Sequence, residues 1–166
     1  MTTPDVLARL VAPWAHFYSD SKPAATIVTF LHIAPIVVGG GIAIALDRAT
    51  LRLNAADAPA RERHLSELGS VHRIVLSALT LSLLSGLAML AADLDTFLGS
   101  WVFWFKMALI VALLANGALM TRLERALRGS AGAAVDQWHR LRGIAITSLV
   151  LWLAITLAGV VLTNIA

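Results

Sequence analysis

The stretch AATIVTFLHIAPIVVGGGIAIAL, Ala24 to Leu46, has no charged side chain and only one histidine, His32. At a rise of 1.5 Å per residue, a helix of about 20 such residues crosses the roughly 30 Å hydrocarbon core of a bilayer. Three more stretches read the same way: Val71 to Ala92, with His72 and Arg73 at its start; Trp101 to Met120, interrupted only by Lys106; and Gly143 to Leu162, which is uncharged. None alternates polar with apolar residues as a barrel strand does. Backbone amides in lipid must be satisfied within their own segment, so all four are predicted as helices. The expected fold is all-α: a four-transmembrane-helix antiparallel bundle, with residues 1–166 forming a single integral membrane domain.

Composition supports this. Of 166 residues, 58% are hydrophobic and 14% charged, whereas about a quarter of a soluble domain is charged. The absence of cysteine excludes disulfides, thiolate zinc sites, iron–sulfur clusters and cysteine nucleophiles. Any metal or redox chemistry falls to His, Met, Asp or Glu. A pI near 10.2 is common in nucleic-acid-binding proteins, but the net charge is only +3 and most basic residues sit in two connections, so no nucleic-acid partner is expected. The solvent of this chain is the lipid bilayer.

Those two connections set the expected orientation, because cytoplasmic loops retain Lys and Arg. The first holds Arg48, Arg52, Arg61 and Arg63, and the third holds Arg122, Arg125, Arg128, Arg140 and Arg142. The second, Asp93 to Ser100, has two acids and no base. The chain is therefore expected in a bacterial cytoplasmic (inner) membrane with both termini outside. The first 23 residues lack the basic start and unbroken apolar core of a cleavable signal peptide. Val6, Leu7, Leu10, Val11, Trp14, Phe17 and Tyr18 instead recur at helical spacing, which predicts an amphipathic helix in the outer interface ending at Pro23; a frayed tail is the alternative. Gly129 to Ala134 is small and predicts a loop.

His32 is the foremost candidate for chemistry, since an ionisable group inside an uncharged span is costly and suggests function. Gly39, Gly40 and Gly41 would let a neighbouring helix or flat cofactor approach, and Pro35 predicts a kink. The plainer reading is a neutral imidazole bonded to a hydroxyl on another helix. His32 and His72 are each candidate haem ligands, but not as one bis-histidine pair, being roughly 15 Å apart along the membrane normal. Pairings at matched depth are His16 with His32 outside and His72 with His139 inside; these four are the candidate metal ligands. His64 reads as a solvated loop residue.

Lys106 is expected to snorkel outward and pair with Asp93 or Asp95. Asn116 is expected to bond between helices. Trp101, Phe103, Trp104 and Phe105 form an outer aromatic belt, and Trp138 a weaker inner one. Ala78, Ser82 and Gly86 form a small-residue seam that predicts close helix crossings.

His72 to Glu124, with Val71-His72-Arg73 at its edge, Ser85-Gly86-Leu87, and the Phe-Trp-Phe-Lys-Met run ending at Met107, resembles small bacterial membrane modules related to the copper-resistance D family. Leu31-His32 before a glycine-rich half-helix is similar to that group and to four-helix haem proteins of the cytochrome b561 type. The resemblance implies b-type haem or copper held by membrane histidines. The chain departs from both patterns: its methionines, Met1, Met89, Met107 and Met120, do not cluster, and it lacks two clear histidine pairs. Three functions follow as expectations: a redox-linked haem protein, a copper-handling protein using His32, Lys106 and the outer acids, or a non-catalytic accessory subunit of a larger respiratory or photosynthetic complex, with homo-oligomerisation also open. No nucleophile–base set supports hydrolysis, and whether the chain is an enzyme is left open.

Overall fold

The computed structural model describes residues 3–54, 56–129 and 134–165. It is helical throughout: α1 (Thr3–Asp20), α2 (Lys22–Pro35), a π-helical turn (Ile36–Gly40), α3 (Gly41–Arg52), α4 (Ala58–Ala92), α5 (Leu94–Gly99), α6 (Trp101–Gly129) and α7 (Ala134–Ile165). Residues 130–133, at the centre of the expected loop, and the side chains of Val6 and Leu7 lie outside the described residues. Four helical stretches are long and apolar enough to cross a membrane: Lys22–Arg52, Ala58–Ala92, Trp101–Arg128 and Asp136–Asn164. All four are longer than hydropathy alone predicts, the second most of all. At 1.5 Å per residue, α4 reaches about 50 Å and overshoots a bilayer core.

The helix starts have local causes. Ser21 Oγ accepts from Ala24 N at 3.4 Å, and Pro23 sits in the first turn of α2, where its missing N–H is not needed. Asp57 Oδ1 caps α4 through Ala60 N at 3.0 Å. Asp93 Oδ1 does the same for α5 through Thr96 N at 3.2 Å. Pro35 cannot donate to the Leu31 carbonyl, and the chain widens into the π-helical turn directly after it.

Close crossings follow from the small residues. A Cβ on Gly39 would lie 2.6 Å from Ala78 Cβ, and one on Gly40 would lie 3.0 Å from the Trp152 ring, whereas Gly41 faces open space. Residue 32 meets 82 and 50 meets 64 between the first span and α4, and 116 meets 144 between α6 and α7. The Asn116 bond is the interhelical one expected, Nδ2 donating to Ile144 O at 3.1 Å. Gly39→Ala is expected to cost about 1 to 2 kcal/mol by overpacking, and Gly41→Ala close to nothing. Thermal unfolding in detergent followed by circular dichroism compares them, and equal midpoints would count against this crossing.

Two apolar clusters fill the bundle. One joins Leu65, Leu68, Trp138 and Leu141; the other joins Leu113, Trp152 and Ile155. Trp138 corrects the sequence reading: it is no interfacial anchor but fully buried, at 0% exposure. The outer belt differs, with Trp101 74% and Trp104 57% exposed. α1 packs against α4, with Trp14 Nε1 donating to Ala88 O at 2.8 Å, while Leu10 and Phe17 point away.

Candidate functional site

Two groups of buried polar side chains stand at opposite ends of the bundle. The first lies toward the Asp93 connection. His32, half-buried on α2, places Nδ1 2.8 Å from the Ser82 carbonyl oxygen on α4. A carbonyl only accepts, so Nδ1 carries the hydrogen and donates it. This fixes the tautomer and leaves the Nε2 lone pair free of any hydrogen bond among the described residues. Ser82 Oγ donates to the His32 carbonyl at 3.1 Å and locks the same crossing. Gly86 is what admits the ring, because a Cβ there would lie 3.0 Å from His32 Cε1.

Lys106 is the second polar group at this level. Its Nζ would lie 3.5 Å from a Cβ on Gly159 of α7, and it is near enough for its charge to bear on His32. The expected pairing with Asp93 or Asp95 is not found: among the described residues Lys106 makes no ion pair. Asp93 is instead committed to capping α5, and Asp95 is exposed. The lysine turns inward because Gly159 leaves room for its stem.

The second group lies at the arginine-rich end and was missed by the sequence reading. Asp47 is 2% exposed, Thr50 0% and His64 3%. Thr50 Oγ1 donates to Leu46 O at 3.1 Å and lies 2.7 Å from His64 Nε2, so the ring donates from Nε2. Trp138 stands edge-on to His64, with centroids 6.2 Å apart. Glu124 is buried nearby on α6, paired with Arg128 at 2.6 Å, and Arg128 also donates to the Leu65 carbonyl. Arg142 Nη2 donates to Leu51 O at 2.6 Å and Leu53 O at 3.1 Å, tying α7 to the end of α3. His64 is therefore no loop residue. α4 begins at Ala58, and His64 turns inward beside Leu65 and Leu68. The signal was present as the continuation of the inward positions Leu65, Leu68, Val75, Ala78, Ser82 and Ser85 at helical spacing.

The remaining candidates are more dispersed. His16 is exposed on α1 and borders an open cleft of about 360 Å³ shared with Asp93 and Asp95. His72 is half-buried on α4, ten residues before Ser82 and thus about 15 Å away along the helix. His139 is exposed on α7. No hydrogen bond, ion pair or ring contact of the described residues joins two histidines, and no three His, Asp or Glu side chains gather where they could hold a metal. The several N or S ligands that copper takes are not gathered at one place among the described residues. No protein-family model matches the chain, and no curated protein or solved structure is significantly similar to it.

Proposed function

We propose that this chain is an antiparallel four-span protein of a bacterial cytoplasmic membrane that holds b-type haem through His32 in a redox-linked role. The observation that carries the haem reading is the Nδ1–H···O=C bond from His32 to Ser82 at 2.8 Å. A ligating histidine almost always donates its other ring N–H to a carbonyl or carboxylate, which orients the ring and raises its basicity. Gly86 keeps the ring seated, and Lys106 supplies a cation in a water-poor region, suited to an anionic edge of a bound group. Haem, when bound, supplies one-electron chemistry; the chain orients its ligand, excludes water and places positive charge nearby.

The arginines of the two connections put that end in the cytoplasm, with α1 and both termini outside. α1, apolar along one side and packed on α4 through Trp14, lies at the outer interface. The chain has no cysteine, so single cysteines report topology without background. Asn164→Cys is expected to react with a membrane-impermeant maleimide in intact cells and Ala56→Cys only after lysis; the reverse pattern would overturn the orientation. The absorption spectrum of the purified protein tests the haem reading. A Soret band is expected. Bound copper without one, or a colourless protein that co-purifies with large partners, would contradict it.

A further inference from the structure

The group at the arginine-rich end has the layout of a path between water and a buried acid, and it is independent of the haem reading. We propose that Glu67, His64 and Thr50 conduct protons between the solvent at this end of the bundle and the carboxyl of Asp47. Glu67 is the open end: its side chain is 66% exposed, and Oε2 lies 3.8 Å from His64 Nδ1. His64 Nε2 lies 2.7 Å from Thr50 Oγ1. Asp47 is the closed end, one turn before Thr50 on the inward face of α3. Side chains spaced in this way have Cβ atoms about 5–6 Å apart, a gap that one water molecule closes.

Asp47 has what a terminal proton acceptor needs. It is 2% exposed, its Oδ2 has no hydrogen-bond partner among the described residues, and its polar neighbour is the Ser148 hydroxyl on α7. Neither ion pair of the described residues includes it. Two arginines of this end are engaged elsewhere, Arg142 on the Leu51 and Leu53 carbonyls and Arg128 on Glu124. A buried carboxyl without a counter-ion is accommodated as the neutral acid. The groups facing His64 are Thr50 from α3, Glu67 from its own helix, Glu124 from α6 and Trp138 from α7. Of these, Glu67 alone is solvent-exposed.

The transfer balances without any other reactant. A proton taken from water by the Glu67 carboxylate passes to His64 Nδ1 through a water across the 3.8 Å gap, and His64 releases its Nε2 hydrogen to Thr50 Oγ1. The hydroxyl hydrogen of Thr50, turned from the Leu46 carbonyl by rotation about Cβ–Oγ, passes through the bridging water to Asp47 Oδ2. Only N–H and O–H bonds form and break, one proton moves from bulk water to Asp47, and reversal of the steps returns it.

Infrared spectroscopy of the full chain in lipid nanodiscs tests this, by following the carboxylic C=O band and its shift after transfer to D2O. The expected result is a band absent from Asp47→Asn, and exchange slowed about a hundredfold in Thr50→Val, the size of effect that a positioned proton-transfer group commonly has. Glu67→Gln should slow it less. If the spectra of wild type and Asp47→Asn coincide, Asp47 carries no proton and the proposal falls. It falls equally if exchange in both other variants keeps the wild-type rate, since the acid then reaches water by another route. Should Thr50→Val not fold, Glu67→Gln, at an exposed position, decides between the two results.

Discussion

Trp138→Ala is expected to lower the stability of the bundle by about 3 to 5 kcal/mol, the range for removing a large aromatic from a packed core. Trp138 has 0% exposure and joins Leu65 and Leu68 of α4 to Leu141 of its own helix. Its indole Nε1 makes no hydrogen bond, so the loss is one of packing alone. It also backs the His64 ring edge-on at 6.2 Å, and the cavity would free that ring to leave Thr50. Trp101→Ala is the matched control, because Trp101 is 74% exposed on the outside of α6 and its removal leaves no cavity. Unfolding in detergent followed by circular dichroism compares the two. Equal losses would mean that the cluster at the arginine-rich end does not hold the bundle together.

The second large effect is expected at Gly86. A leucine there starts from a Cβ 3.0 Å from His32 Cε1 and drives the rest of its side chain into the space of the ring. Overpacking of this kind costs about 1 to 3 kcal/mol. Displacing the imidazole also breaks its bond to the Ser82 carbonyl, adding roughly 1 kcal/mol for the hydrogen bond lost. Gly86→Leu should therefore destabilise far more than Leu87→Ala, whose side chain is 50% exposed on the outer side of α4. It should also abolish any haem bound through His32. Identical thermal midpoints for the two variants, with haem content unchanged, would show that the α2–α4 seam does not pass through Gly86.

The four spans were legible because hydrophobicity in lipid is a property of composition, and composition is read directly. Their lengths were not. Hydropathy fades where polar and charged side chains become frequent, which ended the first span at Leu46 and began the second at Val71. A helix ends instead where its backbone bonds are capped, at Arg52 for α3 and at Asp57 before α4. The residues between those limits, Asp47, Thr50 and His64, form the polar group at the arginine-rich end. Trp138 was misplaced for a related reason. Tryptophan near a charged connection suggests a headgroup anchor, but its partners Leu65 and Leu68 lay beyond the apolar stretch that begins at Val71. Lys106 shows the opposite failure: snorkelling presumes that the side chain faces lipid, while Gly159 on a helix distant in sequence gives it space inside. Pro35 before three glycines announced an irregularity, and a π-helical turn follows it directly.

His32 was legible as a candidate from its position alone, and the structure adds its partner, the Ser82 carbonyl. The plainer expectation, a bond to a neighbouring hydroxyl, is nearly realised as well. Ser82 and Ser85 Oγ each lie 3.4 Å from Nδ1, yet the carbonyl at 2.8 Å is the shorter contact. All three partners engage the same ring nitrogen, so neither reading consumes Nε2. What separates a ligand from a structural histidine is then the use of that second nitrogen.

The direct measurement is haem per chain in wild type, His32→Ala and His72→Ala, each expressed with haem precursor supplied, purified, and assayed again after adding imidazole. The account predicts haem in the wild type and in His72→Ala, loss in His32→Ala with the helices intact, and recovery of the Soret band when free imidazole fills the space left by the side chain. Equal haem in wild type and His32→Ala, or haem in neither, would contradict it.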